Sequence, residues 1–586
     1  MTVSPGAATT NYDATIAAYD AAAGDLAARY DAVSPGTTFA AVRDLLPSGG
    51  LALDVGAGSG GDARWLASQG FDVVAVEPTP TFRAIGRARS EGSIRWLDDR
   101  LPALDGVHRL SLSFDLVLLS AVWQHIAPQD RPRAFRKLAT LLSAGGVLAL
   151  TLRSGPAPAD RPMFETSSEE VEGLARAHGM EVVKVVGSDD LQSRTEVSWT
   201  TIVLRMPDDG TGALPLVRGI VLGDEKSSTY KLGLLRAVAR VAERAPAAAT
   251  PVSRELDAVE VPLGLVALFW VRMYLAPVRL GLPQAPRNSG PDGLGFAKAG
   301  FRALLSSGMD PTELRVGAVF NDEAGTAVGA AIGEAASTIA SMPANFTRFP
   351  NSERRVFEVV KLRSGRARGL SLTVTELRRW GTLVVPGHLW RALTRFGPWI
   401  EPMLVAEWAR LSRSYADRMA LPITTGVAEA ALEWREPVRS TALARSVAER
   451  LLGRGQSLEC VWSGRPLGIG RLDVDHCLPW AVWPCGDLWN LAPSDPRVNR
   501  HEKRDRLPSA ATLRDGRDRL LVWWERAYLD DGALAKRFVR EVSASLPVTD
   551  ATDLSEVFSA LDWRRLRLLR DQGVPEWVRA QPVDGI

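Results

Sequence analysis

The first third of this 586-residue chain is predicted to be α/β, a doubly wound parallel sheet. A mainly helical middle follows, then a C-terminal module in which two short strands precede a helix. Three observations predict this. Short Val/Leu/Ala runs at 51–55, 72–76, 114–119, 147–152, 182–186 and 200–205 alternate with helix-length segments up to residue 206, as they do where parallel strands carry helices on both faces. Beyond about 213 the apolar spacing becomes helical, with Leu232, Leu235, Val238 and Val241 three residues apart. Near residue 475 a β-rich run, a loop, a second short run and a basic helical segment follow in sequence.

Pro207-Asp-Asp-Gly-Thr-Gly punctuates the chain as a linker. At roughly 100–200 residues per domain, the length accommodates regions 1–207, 208–440 and 441–586. In the middle region Ser227 and Ser228 are N-cap candidates for the helix through Leu232. Residues 282–295, rich in Pro, Gly and Asn, are expected to form a loop, and 390–415 and 561–579 to be helical. The basic stretch at 354–368 and the segment from Glu225 to Lys231 suggest a nucleic-acid-positioning or scaffold module, although a solvated face has the same composition.

The 70 basic and 68 acidic residues leave a formal net charge of +2, which excludes a histone-like or tail-dominated nucleic-acid binder. With 46% hydrophobic and 24% charged residues the chain is not globally disordered. Arg far outnumbers Lys, in step with abundant Ala and Gly, so the excess is mainly compositional. Cys460, Cys477 and Cys485 cannot build a disulfide framework, and a reducing cytoplasm is the expected location. The first twenty residues lack a basic stretch and an apolar core. The most apolar segment, 263–271, is cut short by Arg272 and Pro277, well under the ~20 residues that cross a bilayer.

Asp54-Val-Gly56-Ala-Gly58-Ser-Gly60 follows the first strand and opens a helix, where glycines allow a sharp turn and close approach of a nucleotide. Glu77 ends the second strand, placing a carboxylate where ribose hydroxyls bind. Residues 10–206 resemble the class I S-adenosylmethionine-dependent methyltransferases, whose fold is Rossmann-like. The resemblance implies that Asp54, Gly56, Gly58 and Gly60 form the methionine-side loop, that Glu77 holds the ribose, and that Asp98 or Asp99 lies near the adenine. The fourth strand runs into Ser120-Ala-Val-Trp123-Gln-His125 without the Pro-Pro-aromatic signature of exocyclic-amine DNA methyltransferases, and the Pro484-Cys485 pair lies outside this region. DNA-base methylation is therefore disfavoured. His125 is read as a general base or a packed histidine, while His108 and His178 carry no functional reading.

Asp473-Val-Asp475-His476, then Asn490, then Asn499, His501 and Lys503 place a histidine beside a carboxylate at a strand end and facing a helix. That arrangement suits metal-assisted phosphodiester hydrolysis. The segment resembles the HNH (ββα-metal) nucleases. The resemblance implies His476 as general base, Asp475 and Asn499 as ligands of Mg²⁺ or Mn²⁺, Asn490 as the clamp of the histidine loop, and Lys503 as a phosphate neutraliser. His501 remains an outside candidate. No Cys-x-x-Cys pair is present, so structural zinc is not expected. The basic residues from Arg497 to Arg506 offer a phosphate footprint. The combined expectation is a cytosolic methyltransferase fused to an HNH endonuclease that acts on nucleic acid, DNA before RNA. Two alternatives stand beside it: a nuclease gated by an S-adenosylmethionine sensor, and a methyltransferase of a small molecule or RNA carrying an inactive HNH module.

Overall fold

The structure is a computed structural model, and it describes residues 12–31, 36–90, 94–158, 161, 163–192, 194–223, 226–253, 256–350, 352–362 and 370–579. Glu225 and, in the basic stretch, Arg363, Arg366 and Arg368 lie outside the described residues. The chain divides into two compact units, Met1–Gly212 and Ala213–Ile586.

The first unit runs α1 (Tyr12–Ala21), α2 (Ala23–Asp31), β1 (Gly50–Val55), α3 (Gly61–Ser68), β2 (Phe71–Val76), α4 (Pro80–Ser90), β3 (Ile94–Leu97), α5 (Asp105–Arg109), β4 (Phe114–Leu119), α6 (Arg131–Leu141), β5 (Leu142–Ser154), α7 (Ser168–Ala177), β6 (Glu181–Asp189) and β7 (Ser198–Arg205). Its seven-stranded sheet has the order β3-β2-β1-β4-β5-β7-β6. Successive side chains of a strand face opposite ways, and the two faces have separate cores. Leu53, Val74 and Val76 pack with Phe135 and Leu138 of α6 and with Val171 of α7. Ala52, Val73 and Ala75 pack with Ala63 and Leu66 of α3. The strands are apolar on both sides because both sides are covered.

Two features depart from the sequence expectation. β3 is an additional edge strand whose four residues are too short to register as an apolar run. The sheet is also mixed rather than wholly parallel, since β7 runs antiparallel to both β5 and β6. Only a turn, with no crossover helix, joins β6 to β7, and a parallel return needs a long crossover.

The second unit has two hydrophobic cores, one drawn from residues 213–432 and one from 444–577. The first is built on the helices Tyr230–Arg244, Leu263–Arg279, Asp322–Ser341 and Gly387–Arg418. Thr229, rather than Ser227 or Ser228, precedes the first of these as N-cap. A four-stranded antiparallel sheet accompanies them, pairing Ala258–Pro262 with Gly381–Pro386; the middle region is thus helical with a β element that the spacing did not reveal. The apolar segment at 263–271 is the fully buried first half of a core helix. The tail helix lies at Leu554–Gln572. Arg564 joins the two cores, stacked 4.2 Å from the Trp483 ring and donating to the Glu243 carbonyl. Among the described residues no helix is long and apolar enough to cross a membrane.

Candidate functional sites

A cavity of about 780 Å³ opens at the C-terminal ends of the strands in the first unit, where open α/β sheets bind ligands at their topological switch point. Here that point lies between β1 and β4. After β1 the amides of Gly56 and Ala57 donate to the Val76 carbonyl at 2.7 and 2.9 Å, fixing the loop to the end of β2. Gly58 has φ +54°, and nothing lies within 4 Å of where a Cβ would stand, so the loop is open to the cavity there. At Gly60 a Cβ would meet the Trp96 ring at 2.8 Å; this glycine serves packing and does not line the cavity.

Both carboxylate oxygens of Glu77 accept backbone amides, Gly58 N at 2.8 Å and Thr79 N at 2.8 Å. Burial raises its pKa even though these donors oppose the rise. Glu77 therefore shapes the glycine loop while facing the cavity, and each oxygen keeps a lone pair for a ligand. Asp99 lines the cavity and accepts the amides of Arg100 and Val107. Asp98 points elsewhere, into an ion pair with Arg83 at 2.8 Å. Asp54 lies behind the loop, only 2% exposed, with Oδ2 lacking any hydrogen-bond partner. Its pKa is pushed well up by burial and then by the neighbouring Asp62 carboxyl, which is raised as well. Of the expected cofactor residues, Gly56, Gly58, Glu77 and Asp99 line the cavity; Asp54, Gly60 and Asp98 do not.

The other half of the cavity holds His125, which the sequence offered as a general base or a packed histidine, together with residues that sequence reasoning passed over. His125, on the turn after β4, meets the Tyr19 hydroxyl through Nε2 at 3.1 Å, with the rings edge to face. Tyr19 belongs to α1, and burial raises its phenol pKa. Arg161 stacks 5.3 Å from the Tyr19 ring. Arg153 lies near the end of β5, Asp190 and Arg194 come from the turn joining β6 to β7, and Trp199 from the start of β7. Asp190 receives two bonds from the Arg194 guanidinium, at 2.7 and 3.0 Å, one from the Arg194 amide at 3.1 Å and one from the Trp199 indole at 2.9 Å. Tyr12 and Tyr19, seven residues apart on one helix face, were the signal available in the sequence.

In the second unit Asp473–His476 and Leu491–Ser494 form an antiparallel pair, and the chain then turns through a single π-helical segment, Val498–Lys503. Asn490 is fully buried. Its Oδ1 accepts Leu478 N at 2.8 Å, and its Nδ2 donates to the carbonyls of Leu478 and Cys485. The loop after His476 is thereby closed on itself. His476 is 1% exposed, and neither ring nitrogen has a hydrogen-bond partner. Burial, reinforced by the charges of Arg439 and Lys503, pushes its pKa down to about 3.

The expected ligands do not make a divalent-cation site in this arrangement. Asp475 accepts the Trp462 indole N–H at 2.7 Å and pairs with Lys503 at 3.1 Å, with Lys503 completely buried. Lys503 also donates to the His476 carbonyl at 2.8 Å, so it faces inward and not toward a phosphate. The Asn499 amide donates to Asp473, which is further paired with Arg445 and Arg500. Asp495 pairs with Arg471. Each of these carboxylates is matched by a protein cation. Among the described residues no three His, Cys, Asp or Glu side chains cluster as a metal site. His501 is exposed on the turn.

Comparison with known proteins addresses the first unit and the middle of the chain. Residues 53–150 match a family model described as a methyltransferase domain, and residues 210–432 match a domain of unknown function, DUF8808. An uncharacterized methyltransferase of Alkaliphilus oremlandii is 26% identical over 147 residues, covering 24% of this chain and 61% of its own length. An uncharacterized methyltransferase of Mycobacterium tuberculosis is 32% identical over 130 residues, covering 22% of this chain and 50% of its own. The chain thus spans between half and about three-fifths of these curated relatives. Among solved structures, the 1,6-didemethyltoxoflavin-N1-methyltransferase of Burkholderia thailandensis, with bound S-adenosylhomocysteine, shares 20% identity over 35% of this chain and 94% of its own, with a TM-score of 0.29. Residues 53–150 of the first unit are thus similar to a methyltransferase domain, and they lie on a Rossmann-like sheet.

Proposed function

We propose that the chain transfers the methyl group of S-adenosylmethionine to a small-molecule acceptor within the cavity of the first unit. One observation carries this reading: a single 780 Å³ cavity, in the upper part of the range for small-molecule sites, joins the glycine loop and Glu77 to the Tyr19–His125 pair. The cofactor, when bound, supplies an electrophilic methyl group on a sulfonium. Gly58 leaves room for it, and Glu77 offers oxygens for its ribose hydroxyls. The Tyr19 hydroxyl lies between the cavity and His125 Nε2 as a relay: it takes the acceptor's proton as it gives its own to the imidazole. Holding two reactants in line provides most of the rate in such a transfer; a placed base adds roughly 10²–10⁴-fold.

The test uses full-length protein. S-adenosylhomocysteine binding is measured by calorimetry on wild type, Glu77→Gln and Gly58→Asp, and tritiated cofactor is incubated with a cell extract. The reading expects micromolar binding to wild type, at least tenfold weaker binding to both variants, and label in the small-molecule fraction. Label recovered in RNA, DNA or protein rejects the small acceptor, and absence of binding rejects the cofactor.

A second reading, cleavage of DNA or RNA at His476 with Mg²⁺ or Mn²⁺, is favoured by one observation, the Asn490 clamp on the loop after the histidine strand. The matched carboxylates weigh against it. Plasmid DNA and total RNA incubated with wild type and His476→Ala in either metal decide the matter: cleavage by wild type alone supports this reading, and cleavage by neither rejects it.

A further inference from the structure

The charge of the cavity is unevenly divided, and the division says what kind of acceptor belongs there. Among the described residues, Arg64 and Arg100 line the wall on the glycine-loop side with Asp62, Glu77 and Asp99, and Arg89 also borders the cavity. On the Tyr19 side the described charged residues of the wall are Arg29, Arg153, Arg161 and Arg194 with Asp189 and Asp190. Asp190 has both oxygens bonded to Arg194. Arg153 is 8% exposed and donates to the Gly155 and Pro156 carbonyls at 3.0 and 2.8 Å, neutral partners, so its charge is offset only through space by Asp190, whose oxygens Arg194 already engages. The guanidinium groups act on one another: Arg153 is held below the usual range by burial first and by the charge of Arg194 next, with Arg161 adding to it and Asp190 opposing it. S-adenosylmethionine cannot relieve this surplus. Its sulfonium and ammonium outnumber its single carboxylate, so it brings further positive charge into the cavity.

Gathering like charges in a partly desolvated wall is costly unless an anion enters. A carboxylate matches the guanidinium fork with two parallel hydrogen bonds. The same wall is aromatic, with Tyr19 and Trp199 beside the arginines.

We propose that the acceptor is a small aromatic carboxylate, its carboxylate met by Arg153 and Arg161 and its ring lying against Tyr19 and Trp199. This inference rests on the methyltransferase reading above. A carboxylate engaged by guanidinium groups is a poor nucleophile, so the methyl group goes to a ring hydroxyl or amine. That oxygen or nitrogen forms a bond to the methyl carbon while the carbon–sulfur bond breaks. Sulfur leaves with the electron pair as neutral thioether, and the acceptor's proton passes to the Tyr19 hydroxyl, whose own proton moves to His125 Nε2. The cofactor's positive charge ends on the imidazole, close to the acceptor's negative charge.

The experiment titrates full-length protein, saturated with S-adenosylhomocysteine, with salicylate and anthranilate and with their uncharged amides, by calorimetry. The acids are expected to bind at least tenfold more tightly than the matching amides. Arg153→Gln is expected to abolish that preference and Arg153→Lys to retain part of it, while S-adenosylhomocysteine binding to each variant reports an intact fold. Amides binding as well as acids, an undiminished preference in Arg153→Gln, or no binding of either acid overturns the inference. Failure of S-adenosylhomocysteine to bind wild type instead overturns the cofactor reading beneath it, so the two failures are distinguishable.

Discussion

Asp54 and Glu77 illustrate how two carboxylates in one loop region take opposite roles. Glu77 receives two amide donors and faces the cavity, whereas Asp54 is sealed behind the loop against Asp62 with one oxygen unbonded. The acid at the end of β2 was legible in the sequence, because the position of that residue after a glycine loop fixes where its side chain points. The choice between Asp98 and Asp99 was not legible, since adjacent residues look alike until the Arg100 and Val107 amides select Asp99. A test belongs to this scale. The raised pKa of Asp54 means that the folded protein holds the proton more tightly than the unfolded chain. The stability this contributes is full below the ordinary carboxylate pKa and is lost as pH climbs through the raised value. Asn does not titrate. The melting temperature of Asp54→Asn relative to wild type should therefore rise between pH 5 and pH 8, and a constant or falling difference contradicts the burial argument.

At the scale of elements, the parallel part of the sheet was readable from apolar runs, but the direction of β7 was not. Periodicity reports that a strand is buried without reporting which way it runs; only the short β6–β7 connection decides that. The hairpin carrying His476 was readable from residue spacing, whereas the charges around it depend on partners remote in sequence, such as Trp462 and Arg445. Two outcomes are expected here. Asn490→Ala leaves Leu478 N and two carbonyls without their buried partner and should cost at least ~3 kcal/mol in urea unfolding, at ~1–3 kcal/mol for each of the three orphaned groups. Lys503→Met leaves the Asp475 charge buried and alone, a loss of about 3–5 kcal/mol. Adding Asp475→Leu should recover most of it; a double variant as unstable as the single one would show that the ion pair is not what stabilises the turn.

For the whole molecule, the near-neutral total hides local arrangements: the arginine-rich side of the cavity in the first unit, and in the second the cations Arg445, Arg500, Lys503 and Arg471 set against Asp473, Asp475 and Asp495. Each unit has its own hydrophobic cores, and the chain passes from one to the other near Gly212. Limited proteolysis should cut first around 207–212, giving fragments close to 1–212 and 213–586, and calorimetric melting should resolve two transitions. Saturating S-adenosylhomocysteine should move only the transition of the first unit, by mass action; a single transition that moves as a whole would show that the units unfold together.

The turn from β6 into β7 also bears on how this chain's chemistry can change over time. Ser188, Asp190, Gln192, Arg194 and Trp199 all border the cavity from one short, contiguous stretch, while the glycine loop, Glu77 and Asp99 come from the opposite edge of the sheet. Insertions or replacements within that stretch leave the parallel strands and the nucleotide-facing loops untouched. Under the proposed transfer reaction, acceptor preference is expected to move as a cassette: a graft of residues 188–199 between relatives should change selectivity without rebuilding the domain.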